Sequence, residues 1–342
     1  MKQLTGFMHG VNLGGWLSQC DHTKERYENF ITEKDIGTIR GWGLDHIRVP
    51  VDYNLVEDAQ GAYKEEGFSY IDRAIGWAKK YGLNMVLDLH KTFGYSFDVG
   101  HGEKGFFENP SYQERFYRLW EEFAKRFGGN DDMLCFELLN EVTDKSYSDG
   151  WNRILTECIR RIRAYAPKIR IIVGGYNYNS AMSLKDICPP YDENVVYNFH
   201  FYEPLVFTHQ GAYWMEFMDR SFRMPFRATY GTYAKNRMDQ MHEEMEEEKI
   251  FGSDKILGLE FFEHYMEEAI RVAKERNVAL YCGEYGVIDL ADKQDTLEWY
   301  RTVSECFEKY GIARAAWSYK EMDFGIRDPG MDGIRDELLK LL

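Results

Sequence analysis

Short apolar or β-branched runs alternate along this chain with longer amphipathic stretches, and that rhythm restricts the fold more than any other feature. The runs are FMHGVNL (7–13), HIRVPV (46–51), NMVLDLH (84–90), MLCFELLNE (133–141), IRIIVGG (169–175), VVYNFHFY (195–202), ALYCGEYG (279–286) and ARAAWSYK (313–320). Between them the periodicity predicts helices over 69–82, 113–127 and 296–311, each stopping at or just before a glycine. Eight strand-like runs alternating with helices over 342 residues favour an α/β fold of the (β/α)8 TIM barrel type over a doubly wound sheet.

One interval breaks the rhythm. More than 50 residues without a strand separate the sixth run from a helix starting near Leu259. They contain WMEFMDRSF (214–222) and the acidic run 238–249, both compatible with helix, so a helical insertion is expected between the sixth strand and its helix. The acidic run reads as a solvated helix face. With no repeat, Pro-rich linker or low-complexity tract, the chain reads as a single domain over 1–342, with an insertion subdomain at about 205–258.

Composition narrows the partners. With 57 acidic and 42 basic side chains the formal charge is −15, which repels phosphate backbones and argues against nucleic acid. No stretch approaches the roughly 18 apolar residues of a membrane span. The opening MKQLTGFMHGVNLGGW lacks a signal peptide's apolar core, which fits a cytoplasmic chain or a secreted one whose leader was trimmed. Cys20, Cys135, Cys158, Cys188, Cys282 and Cys306 show no paired spacing and read as small buried hydrophobes. A monomer without metal or cofactor is expected.

Polar residues repeatedly end otherwise apolar strands: Arg48, Asp88 and His90, Asn140 and Glu141, His200 and Tyr202, Glu284, and Trp317. Strand C-terminal ends face the active site in such a barrel, and folding alone does not call for this pattern. Glu141 and Glu284, from the fourth and seventh strands, can flank a bond lying across the mouth. Glycoside hydrolysis needs that pair, one protonated carboxyl and one carboxylate. No His-x-His cluster supports a metal hydrolase, and Gly174-Gly175 follows the fifth strand instead of the late turns a phosphate site would use.

FELLNE and YCGEYG, together with RVP, DLH, NFHFY and AAWSYK, resemble glycoside hydrolase family 5, the cellulase family of the retaining barrel clan. The resemblance runs from GVNLGGW at 10–16 to MDFGI at 322–326 and is greatest to compact clostridial endoglucanases with an insertion after the sixth strand. It implies Glu141 as acid/base and Glu284 as nucleophile, with Arg48 and Tyr202 aiming Glu284. It further implies Asn140 on the sugar 2-hydroxyl, His200 beside Glu141, His90 on the hydroxyls of the −1 sugar, and Trp317 as that sugar's apolar floor. The family's cis peptide after this tryptophan would fall at Trp317–Ser318. Where the family commonly has a second His and Pro-Gly, this chain reads His90-Lys91-Thr92-Phe93-Gly94. Phe207, Tyr213 and Trp214 in the insertion are candidate sugar platforms. The implied activity is a retaining endo-β-1,4-glucanase on β-1,4-glucan or mixed-linkage β-glucan. The alternatives are a β-mannanase or dual-specificity enzyme of the same mechanism, and a non-catalytic glycan-binding barrel.

Overall fold

The computed structural model describes residues 1–98, 103–237 and 247–342. Its eight strands are β1 (His9–Asn12), β2 (His46–Asp52), β3 (Asn84–Lys91), β4 (Leu134–Glu137), β5 (Arg170–Gly174), β6 (Val195–Phe201), β7 (Ala279–Tyr285) and β8 (Ala313–Ala316). Each pairs in parallel with the next, and β8 returns to β1 with Val11 opposite Ala316, so the sheet closes into a barrel. The principal surrounding helices are α1 (Glu33–Gly41), α2 (Glu65–Tyr81), α3 (Pro110–Phe127), α4 (Ser148–Arg163), α5 (Leu259–Arg276) and α6 (Lys293–Tyr310). The fold is the (β/α)8 barrel that the alternation predicts, with the fifth helical layer reduced to a 3-10 segment at Ala181–Asp186.

Local chemistry accounts for the helix ends. α2 and α6 stop at Gly82 and Gly311, both left-handed at φ 66°, a conformation that glycine adopts without steric cost. α3 opens with Asn109 capping the Ser111 N–H and Pro110 in the first turn. Its Phe116, Leu119, Trp120, Phe123 and Phe127 recur at helical spacing and are buried against the barrel.

Strand alternation sorts the barrel interior into layers. Val86, Cys135, Ile172, Val196 and Tyr281 form an apolar lower layer, packed with Leu4 and Phe7. Two residues further along their strands come Asp88, Glu137 and Asn198, and two further still His90 and His200. The residues between them, such as Leu87, Leu89, Phe136 and Phe199, join the outer core beneath the helices. The barrel is therefore mostly apolar below, where His46 meets the Tyr281 hydroxyl, and polar above, which gathers the carboxyl groups toward the strand C-terminal ends.

Between β6 and α5 lie helices at Leu205–Thr208, Tyr230–Asn236 and Glu247–Phe251, so the interval carries helical structure of its own. WMEFMDRSF is not one of them. It forms turns, because the Asp219 side chain accepts from the Ser221 N–H at 2.7 Å and so competes with a helix hydrogen bond. Residues 238–246 of the acidic run lie outside the described residues, while Glu247–Lys249 open the last helix. Among the described residues no helix is long and apolar enough to cross a membrane.

Candidate active site

Arg48 rises from β2 into the middle layer with its side chain fully buried, and its five N–H groups define the site. Nε and Nη2 form a fork on Glu137 at 2.7 and 2.8 Å. Nη2 also reaches Asp88 at 3.0 Å and the Asn140 Oδ1 at 2.9 Å, while Nη1 holds the Asn12 Oδ1 at 2.9 Å and Glu284 at 2.7 Å. One guanidinium thus faces three carboxylates in a dry interior, where its charge is indispensable to them.

Glu284 lies on β7 where the pairing slips against both neighbours, between Phe199 and His200 on one side and between Cys282 and Tyr285 on the other. Such an irregularity re-aims a side chain. Its carboxylate accepts from Arg48 through Oε1 and from the Tyr202 hydroxyl through Oε2 at 2.9 Å. Burial raises its proton affinity, and Arg48, His90 and the Tyr202 hydroxyl oppose that rise.

Glu141 is not a strand residue. β4 ends at Glu137, and Glu141 sits four residues beyond, at φ 35°, a left-handed backbone costing about 1–3 kcal/mol. Tyr95 clamps that turn: its hydroxyl donates to the Glu141 carbonyl at 2.7 Å and accepts from the Thr143 N–H at 2.8 Å. The Glu141 carboxyl is held well above the usual range, first by burial and then by the charge of Glu284. Its Oε1 lies 2.7 Å from His200 Nδ1, which is 3.7 Å from Glu284. Among the described residues Glu141, His200 and Glu284 each offer a ligand atom within 4.8 Å of the other two. Arg48 already balances Glu284, and His200 Nδ1 is turned onto Glu141, so this set suits proton and charge placement better than holding a cation.

The remaining predicted residues surround this pair. The Asn140 Oδ1 is taken by Arg48, and among the described residues its buried Nδ2 has no partner, leaving a donor for a ligand. His90 lies 2.6 Å from Asp88 through Nδ1 and 3.2 Å from Gln19 through Nε2, and it stacks parallel to Trp317 at 5.9 Å. Trp317 follows β8 by one residue, and its peptide bond to Ser318 is cis. Lys91 faces Glu103 at 4.0 Å. Of the candidate platforms, Phe207 is fully buried against Phe226 and belongs to the core. Tyr213 and Trp214 are exposed, and Trp214 reaches Phe324 at 6.3 Å, which packs with Trp317.

Sequence reasoning missed Glu137, Asn198, Asn12 and Tyr95. A signal existed for Glu137: a lone charge within MLCFELL must be buried with a counter-ion. Tyr95 offered none, since its role depends on a turn 46 residues away.

The family model described as cellulase (glycosyl hydrolase family 5) matches residues 8–323. Cellodextrinase A of Ruminococcus flavefaciens is 45% identical over 314 residues, 92% of this chain and 86% of that protein. Endoglucanase C of Acetivibrio thermocellus is 38% identical over 347 residues, 99% of this chain and 98% of that protein. Among solved structures, the cellulose synthase subunit Z of Clostridioides difficile superposes with a TM-score of 0.77 at 26% identity, covering 98% of this chain and 99% of that one. The barrel, the paired carboxyls at its mouth and these matches lead to one conclusion: the chain belongs to the cellulase family, glycosyl hydrolase family 5.

Proposed function

We propose that this protein is a retaining endo-β-1,4-glucanase acting on β-1,4-glucan or mixed-linkage β-glucan, as one catalytic unit over 1–342. In this reading the segment at about 205–258 walls one side of the cleft. The observation that carries it is the short gap between the carboxyls, bridged by a single imidazole nitrogen 2.7 Å from one and 3.7 Å from the other. Retention uses carboxyls about 5–5.5 Å apart, whereas inversion leaves about 6.5–9.5 Å for a water.

In the first step Glu284 attacks the anomeric carbon as the bond to the leaving oxygen breaks, and Glu141 delivers its proton to that oxygen. Arg48 and the Tyr202 hydroxyl orient the attacking carboxylate. In the second, Glu141 takes a proton from water, the water oxygen bonds to the anomeric carbon, and the ester to Glu284 is released. Asn140 Nδ2 is the donor for the 2-hydroxyl, a contact that strengthens as positive charge develops on the sugar. His90 contacts the −1 sugar, and Trp317 lies under its C–H face.

Reducing ends are expected from carboxymethylcellulose and barley β-glucan, with the β-anomer formed first by proton NMR. Release from glucomannan alone would instead favour the mannanase, and initial α-anomer would exclude retention. Glu141 works protonated and its proton affinity is raised, so kcat/KM falls as pH rises through that elevated value, well above the ordinary carboxyl range. An alkaline limb near the ordinary glutamate value would contradict Glu141 as the acid.

A further inference from the structure

We propose that Asn198 and Asn179 are positioning residues that lock His200 in its Nδ1–H tautomer, directing the Glu141 proton to the oxygen that faces the substrate. The proposal rests on the reading of Glu141 as the acid. The Asn198 amide has one consistent orientation. Its Oδ1 accepts from the Gly283 N–H at 2.9 Å, and its Nδ2 donates to the Glu137 carboxylate at 2.8 Å. That same Nδ2 lies 3.5 Å from His200 Nε2, and the Asn179 Nδ2 lies 3.4 Å from it. The Asn198 amide, fixed in this orientation, turns an N–H toward Nε2 and so favours a lone pair there; with the ring proton on Nδ1, the Asn179 amide presents its N–H to the same nitrogen. Burial keeps the ring neutral. Nδ1–H then donates to the Glu141 Oε1 at 2.7 Å, and the carboxyl proton is left on Oε2. With the opposite tautomer, Nδ1 would accept that proton and turn it away from the leaving group.

The backbone is shaped for this contact. Asn177, Tyr178 and Asn179 are three consecutive left-handed residues, at φ 50°, 55° and 56°, a conformation that non-glycine residues adopt only at a cost. Gly174 makes the space: a Cβ there would lie 2.2 Å from the Asn179 Oδ1. Asn179 itself is 1% exposed.

The test uses protein labelled with 15N-histidine, His200 being identified by the signal lost in His200→Gln. At neutral pH the His200 nitrogens should report Nδ1–H in the wild type, and Nε2 should gain a proton in Asn179→Asp, whose carboxylate accepts where the amide donates. In that variant kcat/KM on unactivated cello-oligosaccharides should fall roughly 10- to 100-fold, part of the roughly 10²- to 10⁴-fold that general acid catalysis supplies. On a dinitrophenyl cellobioside, whose leaving group needs no proton, it should stay near wild type. An Nε2–H wild type overturns the proposal, as does an equal loss on both substrates. The tautomer is read without turnover, so failure of the glucanase assignment would leave that arm intact.

Discussion

Glu284→Gln is expected to lower kcat on β-1,4-glucans by on the order of 10⁵-fold while cello-oligosaccharide binding persists. The amide preserves the volume of the side chain but removes the lone-pair charge that would form the glycosyl ester. It also disturbs two donors aimed at that carboxylate, the Arg48 Nη1 at 2.7 Å and the Tyr202 hydroxyl at 2.9 Å, since half of an amide repels them. A second effect separates a lost nucleophile from a damaged fold. The charge of Glu284 helps to hold the proton on Glu141, so its removal lowers the Glu141 proton affinity. Residual hydrolysis in the variant should therefore lose its alkaline limb at lower pH than the wild type. Tryptophan fluorescence titration with cellotetraose checks binding, and reducing-end release checks turnover. Near wild-type turnover would refute the nucleophile.

Arg48→Lys should cost the fold about 3–5 kcal/mol and the activity more than tenfold, although the charge is retained. An ammonium cannot reproduce the fork on Glu137, the contact with Asp88 and the bonds to Asn12, Asn140 and Glu284 together. At least one buried carboxylate is left without its partner, and Glu137 and Asp88, like Arg48, have no exposure through which water could compensate. Urea unfolding monitored by circular dichroism measures the loss. A midpoint unchanged from wild type would mean that the carboxylates are balanced by groups other than Arg48.

Most of the architecture was legible because the barrel repeats an apolar strand eight times and follows most of them with a helical stripe, and each repeat supports the others. The proposed catalytic pair stood out because a glutamate near the C-terminal end of an apolar strand is conspicuous. What the chain concealed was direction. Asp88, Glu137 and Asn198 sit among apolar neighbours, and only closure of the sheet brings Asp88 and Glu137 onto one guanidinium and Asn198 onto Glu137. The same holds for Asn179: Gly-Gly followed by Tyr-Asn-Tyr-Asn suggests a turn, but not that three non-glycine residues adopt left-handed backbone to bring one amide onto His200. The helix expected over WMEFMDRSF failed for a local reason, the Asp219 side chain acting on the backbone two residues ahead.

The seam between the first and last strands carries a consequence for folding. His9 pairs with Arg314, and the groups that meet near this seam, Asn12 and Trp317, come from opposite ends of the sequence. Loop closure over such a span is entropically the most demanding event in assembly. Until it happens, the Asn12 amide lacks the Ala315 and Ala316 carbonyls that orient it, and Trp317, the proposed floor of the sugar site, is out of place. Hydrolytic activity should thus be the last property regained on refolding, lagging helix formation seen by far-ultraviolet dichroism. For this barrel, turnover can serve as the clock of ring closure.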